Sequence, residues 1–317
     1  SNYYAGRGRV KEALQELEKG LEVFPQSALI LNNMGTLYSR LDEELLASEY
    51  FLKALRIEPE KPDYLVNIGG SFASMRKPDI AIQFYDEALK LDSEFCSALC
   101  AKGGLLANHG QSQEYLSLIE TGLDRYRKMP EISNTNYLTY YSNYVFFLHY
   151  APEMEREKIF KEIMSWQEEL CSDITEKPTI DFNNKPSHDK KLRIGLISKG
   201  FNVHPVGQMI YSALENIDKN KFELYCYSEL PPGKRDYLTD KIYKICNEVI
   251  NINNEVNHVL VEKIREDEVD ILIEMTGHSE GGRRLQLIAE RAAPVQVKWV
   301  GGLFNTTGVP QMDWLLT

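Results

Sequence analysis

The chain has 317 residues, with 36 Lys+Arg against 47 Asp+Glu and a formal net charge of −11. With 43% hydrophobic and 26% charged residues, it is a core-forming chain of a length that suits two domains, and whole-chain disorder is excluded. The acidic balance argues against a general nucleic-acid partner, and no apolar run approaches the roughly 20 residues that would make a membrane one.

The opening segment SNYYAGRGRV holds no apolar core of the secretory type. The cysteines Cys96, Cys100, Cys171, Cys226 and Cys246 are odd in number, make no C-x-x-C and mostly lie in apolar helix or strand patterns. They read as reduced packing residues, which points to a cytoplasmic protein.

Segments beginning at Ala28, Pro62 and Cys96 start 34 residues apart and repeat in register. Leu31, Leu65 and Leu99 coincide, as do Gly35, Gly69 and Gly103. Ala47 and Ala81 coincide too, followed by Phe51 with Tyr85 and Ala54 with Ala88. Each unit reads as two short amphipathic helices, in which glycine and alanine allow close approach, and Pro25 and Pro59 end the second helix. The pattern resembles the tetratricopeptide repeat, with a partial unit at 1–27 and full units at 28–61, 62–95 and 96–129. Such arrays form a solenoid over 1–130 whose concave face is lined by the first helix of each unit. Asn33 and Asn67 share one position on that helix, and their amides suit the backbone of an extended peptide. Solvated polar residues are the other reading, and Ala101 breaks the ladder in the third unit.

Residues 131–170 lose the 34-residue period but stay helical, with a dense aromatic face that suits a bridging element. The polar stretch 171–191, with Pro178 and Pro186, reads as a connector.

From Leu192 strands alternate with helices. Strands are expected at 192–198, 222–228, 248–253, 269–277 and 294–301, with a sixth starting at 312. Helices are expected at 207–217, 235–246, 256–267 and 282–291. Near-continuous apolar strands in βα units mean a Rossmann-like parallel sheet covered on both faces, with its ligand crevice off the carboxyl ends of the strands. Polar loops fall there: KGFNVHPVG after the first strand, TGHSEGG after the fourth and GGLFNTTGVP after the fifth.

His204 precedes Pro205 and a helix N-terminus, whose positive end favours a neutral imidazole able to accept a proton. A histidine that merely caps the turn is the alternative. Thr276, Gly277, His278 and Ser279 combine a close-approach glycine with donors for a polyhydroxylated ligand, or make a plain turn. Asn305 and Thr306 lie in a similar short polar segment. The usual dehydrogenase, NTPase, zincin and hydrolase motifs are absent, as is an Asp-x-Asp pair for a metal–diphosphate.

A repeat solenoid followed by LRIGLISKGFNVHPVG and by VDILIEMTGHSEGGRRLQLIAERAAPVQVKWVGGLFNTTGVPQMDWLLT is similar to the O-linked N-acetylglucosamine transferase and SPINDLY family. The resemblance covers nearly the whole chain. It implies α + α/β architecture, with 192–317 as the first Rossmann-like half of a GT-B catalytic region. It also implies an inverting glycosyltransferase without metal or other cofactor. Such an enzyme moves N-acetylglucosamine from UDP-GlcNAc, or fucose from GDP-fucose, to protein Ser/Thr hydroxyls. By position, His204 corresponds to a base or orienting group near the acceptor hydroxyl. Thr276, His278 and Ser279 correspond to a loop near the transferred sugar, and the repeats would hold acceptor proteins or peptides. Two departures stand out. Gly200 replaces a usual acidic residue, which removes a supporting partner. The second, donor-binding domain does not follow, so a fragment with little activity of its own is expected. A peptide-binding scaffold carrying an inactive transferase-like module remains the competing reading. A transferase acting on glycans or small molecules is a third.

Overall fold

The computed structural model describes residues 10–110, 114–129, 134–151, 154–171, 182–184, 190–253, 255–300 and 307–316. The chain divides into two compact units, Ser1–Glu153 and Met154–Thr317.

The first unit is a series of helical hairpins. Helix α1 (Val10–Val23) precedes the pairs α2 (Ala28–Arg40) with α3 (Glu44–Ile57), α4 (Pro62–Ser74) with α5 (Pro78–Leu91), and α6 (Cys96–Asn108) with α7 (Glu114–Arg127). Local chemistry sets several of these starts. The Ser27 hydroxyl accepts from the Ile30 N–H at 3.3 Å, and Pro62 and Pro78 open their helices where no intrahelical donor is needed. The sequence period is also a packing period. Tyr38 stacks on Tyr50 at 5.1 Å between ring centroids, and Phe72 stacks on Phe84 at 5.6 Å, both rings displaced by one repeat. Ala47, Ala54, Ala81 and Ala88 are fully buried, so the second helix of each hairpin approaches its neighbours closely.

Helix α8 (Asn134–Leu148) packs against α6 and α7 and buries Tyr137, Tyr141 and Tyr144. The expected bridge over 131–170 is thus shared out: α8 lies in the first unit and α9 (Arg156–Leu170) in the second.

The second unit carries a six-stranded sheet among its described residues, in the order β3-β2-β1-β4-β5-β6 with every pairing parallel. The strands are β1 (Leu192–Ser198), β2 (Phe222–Ser228), β3 (Glu248–Asn251), β4 (Ile271–Glu274), β5 (Val295–Trp299) and β6 (Trp314–Leu316). Between them run α10 (Pro205–Glu215), α11 (Tyr237–Ile245), α12 (Asn257–Glu266) and α13 (Leu285–Ala289). Leu196, Phe201, Ile210, Leu224, Ile242 and Met275 form one buried core cluster under α10 and α11.

Several expected elements are shorter than the sequence suggests, two of them for a visible local reason. The fourth strand ends at Glu274 because its carboxylate accepts from the Thr276 and Gly277 N–H groups, at 2.6 and 2.8 Å, and turns the chain. The helix expected at 282–291 begins only at Leu285. Gly281 and Gly282 hold φ of 76° and 60°, outside the helical region, and a 3₁₀ turn spans Ser279–Gly282 instead.

Candidate functional site

Strand order reverses between β1 and β4, so loops from these two strands flank the crevice at the carboxyl edge of the sheet. His204 sits after β1 as the N-cap of α10, in extended backbone and exposed to solvent. Its Nδ1 accepts from the Val206 N–H at 3.3 Å. A backbone N–H can only donate, so in the neutral ring the hydrogen resides on Nε2. The loop is held from below and from the side. Ser198 Oγ accepts from the Gly200 N–H at 2.9 Å, and the carboxylate of Asp236, the N-cap of α11, accepts from the Val203 N–H at 2.7 Å.

Gly200 lies directly against this histidine. A Cβ there would stand 2.8 Å from His204 Nδ1 and 3.0 Å from Val206 Cβ. Nothing longer than hydrogen fits without moving the ring, and the backbone of α10 partners Nδ1. Gly207 closes the loop, since a Cβ would meet the Asn202 carbonyl oxygen at 2.3 Å.

The β4 loop is organised by Glu274. Besides capping Thr276 and Gly277, it faces Lys298, its register partner on β5, with Nζ 3.6 Å from Oε2. The two side chains are 1% and 3% exposed. Lys298 also donates to the carbonyl of Val300, which holds a φ of 45° that a β-branched residue rarely adopts. One buried ion pair therefore fixes the ends of both strands.

Ser279 Oγ donates to the Thr276 carbonyl at 2.6 Å, which ties two of the expected site residues together. His278 is buried, edge-on to the Trp166 ring of α9 at 4.6 Å between centroids. Its Nε2 lies 3.1 Å from the Thr307 carbonyl, an acceptor, so this nitrogen carries the ring hydrogen. His278 thus braces the β4 loop against the β5 loop and α9, and its described contacts are with protein rather than with open space. Gly308 packs under the same helix at φ 74°, where a Cβ would lie 2.6 Å from Ile163 Cγ2. Asn305 and Thr306 lie outside the described residues.

In the repeat unit, Asn67 Nδ2 donates to Asn32 Oδ1 of the preceding repeat at 2.8 Å, whereas the Asn33 side chain hydrogen-bonds none of the described residues.

Sequence reasoning passed over two charged pairs. Besides Glu274 with Lys298, Arg284 is 2% exposed and donates from Nε to Glu229 Oε1 at 2.8 Å. Its other donors reach the carbonyls of Ile252 and Glu255 and Asn257 Oδ1, and burial lowers its pKa from the ordinary guanidinium value. The available signal was a charge inside an otherwise apolar strand, as in ILIEM and VQVKW, because buried charges need partners. Among the described residues, no three His, Cys, Asp or Glu side chains gather as a metal cluster, and no helix is long and apolar enough to cross a membrane.

The profile of glycosyl transferase family 41 matches residues 154–317, the whole of the second unit. The chain belongs to glycosyl transferase family 41. Tetratricopeptide repeat profiles match 28–61 and 62–95. A solved structure of a mutant of the Thermobaculum terrenum O-GlcNAc transferase aligns with 91% of this chain and 53% of its own, at TM-score 0.78 and 26% identity. Among curated relatives, the Arabidopsis thaliana protein named "Probable UDP-N-acetylglucosamine--peptide N-acetylglucosaminyltransferase SPINDLY" is 33% identical over 141 residues, 43% of this chain and 15% of that protein. The Caenorhabditis elegans UDP-N-acetylglucosamine--peptide N-acetylglucosaminyltransferase is 31% identical over 129 residues, 40% of this chain and 11% of its own. The chain therefore spans about half of the bacterial enzyme and less than a fifth of these eukaryotic relatives.

Proposed function

We propose that this chain is the acceptor side of a protein O-glycosyltransferase. In this reading the enzyme is inverting and metal-independent, and it carries N-acetylglucosamine or fucose from a nucleotide sugar to Ser/Thr hydroxyls. Acceptor polypeptide lies along the repeats, where Asn33 and the second hydrogen of the Asn67 amide offer backbone contacts. The reading rests chiefly on His204, exposed at the start of α10 on the crevice edge of a family 41 unit.

The tautomer favours one role for it. With Nδ1 accepting from Val206, Nε2 is a donor, and removing a proton at Nε2 would require the ring to exchange tautomers and give up its helix cap. His204 therefore orients the acceptor oxygen or the sugar by donation rather than serving as the base. Thr276 supplies a hydroxyl beside the transferred sugar, while Ser279 and His278 hold that loop in place. Asn305 and Thr306 complete the sugar side.

The scaffold reading is favoured by one feature, the lack of any carboxylate behind Nδ1 at Gly200. One experiment separates the two. In the full-length protein, His204→Asn keeps an N-cap oxygen but removes the imidazole. Acceptor-peptide labelling with UDP-GlcNAc and GDP-fucose is expected to fall by about 100-fold or more with folding unchanged, and wild-type labelling is expected to survive EDTA. Undiminished labelling by the variant would remove His204 from the chemistry. No labelling by wild type with either donor would favour the scaffold.

A further inference from the structure

The last residue of α1 is Val23, that of α3 is Ile57 and that of α5 is Leu91. They stand 34 positions apart, one per repeat, and face solvent at 70%, 38% and 47% exposure. The same helices turn Leu17, Phe51, Ala54, Tyr85 and Ala88 inward, yet each terminal residue stays in water. Phe24 and Leu29, on either side of the first turn, are exposed as well and widen the row at its start. Arg125 takes the corresponding position in the next unit and pairs with Glu94, which ends the row. Single apolar side chains at a surface are ordinary, but here a large one recurs at the same repeat position along one edge of the unit.

This edge is also acidic. Glu58, Glu60 and Asp63 line an open hollow of about 570 Å³ in the turn after Ile57, together with Pro59, Lys61 and Pro62. Two prolines fix φ in that turn, so the hollow is preformed. Glu22 and Asp92 stand next to Val23 and Leu91 in the chain and are exposed like the others. None of these five carboxylates makes an ion pair among the described residues, whereas Glu87 and Glu94 are matched by Lys90 and Arg125. Arg56 and Lys61 are the cations of the same turns without such a pair, so a formal excess of three negative charges flanks the apolar row.

We infer that this edge docks a basic amphipathic helix of a partner polypeptide. Its aliphatic side chains cover Val23, Ile57 and Leu91, and its Lys or Arg side chains reach the carboxylates beside them. Charge selects the occupant, because an acidic segment, including the same edge of a second copy, would be repelled. The row lies at helix ends, apart from Asn33 and Asn67 within α2 and α4, so the inference does not depend on acceptor binding there or on sugar transfer.

The probe is a fluorescently labelled, helix-forming leucine–lysine peptide with its leucines on one face, titrated into the whole chain at low ionic strength and followed by anisotropy. Saturable binding is expected, weakening as salt is raised, and a counterpart with glutamate in place of lysine should not bind. Ile57→Ser combined with Leu91→Ser should weaken binding by about tenfold or more, through lost apolar contact. Glu60→Gln combined with Asp63→Asn should weaken it several-fold and flatten the salt dependence. All four positions are exposed, and unfolding midpoints measured without peptide verify that both variants fold. Absence of saturable binding, equal binding of the glutamate peptide, or binding unchanged in both variants overturns the assignment. Self-association of the chain that the Ile57→Ser, Leu91→Ser variant abolishes also overturns it, since a second copy would then be the occupant.

Discussion

Glu274 and Lys298 face each other across β4 and β5 as register partners, 3.6 Å apart and shielded from solvent. Each also fixes backbone: Glu274 holds the Thr276 and Gly277 N–H groups, and Lys298 holds the carbonyl of the strained Val300. The crevice loops after β4 and β5 therefore share one electrostatic anchor.

Removing one partner leaves the other charged and buried. Lys298→Met is expected to cost about 3 kcal/mol or more, lowering the unfolding midpoint of the second unit by roughly 6–12 °C. Thermal denaturation followed by circular dichroism measures this. A midpoint within a degree of wild type would mean that the pair contributes nothing net.

Gly69 and Gly70 are adjacent in sequence and opposite in consequence. A Cβ on Gly69 would stand 2.5 Å from the Tyr85 ring, whereas one on Gly70 meets nothing within 4 Å. Gly69→Ala should destabilise the repeats by about 1–3 kcal/mol through overpacking. Gly70→Ala should stabilise them by up to about 1 kcal/mol, because alanine is the better helix former. Urea unfolding of the two variants gives both signs in one experiment, and the same sign for both would contradict the packing.

His204 has a structural task that can be separated from chemistry. His204→Ala should lose the α10 cap and about 1 kcal/mol of stability, while His204→Asn should lose little. Gly200→Ala pushes on the same ring and should resemble His204→Ala in stability. Equal midpoints for all three variants and wild type would show that the bond to Val206 carries no weight.

Glu44 gives the repeats a pH dependence of defined sign. Burial pushes its carboxyl above the ordinary carboxylate value, and the nearby Asp42 charge adds to this, while the Ser39 hydroxyl bond opposes it. The folded state thus binds the proton more tightly than the unfolded chain. Stability from this group is complete below the unfolded pKa and is lost as pH rises through the raised folded value. Glu44→Gln should therefore raise the midpoint at pH 7 relative to wild type, and the gain should shrink towards pH 4. A gain that grows on acidification would reverse the assignment.

Much of this architecture is written in local pattern. The 34-residue period marks the hairpins because the glycine and alanine positions that let helices touch must recur with each unit, as Gly35 against Phe51 and Gly69 against Tyr85 do. The parallel sheet is legible from apolar strands alternating with amphipathic helices, and the crevice from polar loops at the strand ends. His204-Pro205 announces its helix start because proline fixes an extended residue before it.

Other features depend on residues far apart in the chain. Glu274 and Lys298 are 24 positions apart (274 to 298), and Glu229 and Arg284 are 55 apart; only the strand order brings them together. The role of His278 likewise turns on Trp166 and Thr307, neither of which its own segment can reveal. The proton on His204 is decided by which atom lies opposite Nδ1. Periodicity and propensity act over a few residues and so are readable in order along the chain. Burial, charge pairing and tautomer are set by whatever packs against a group, and only the folded chain supplies that neighbour.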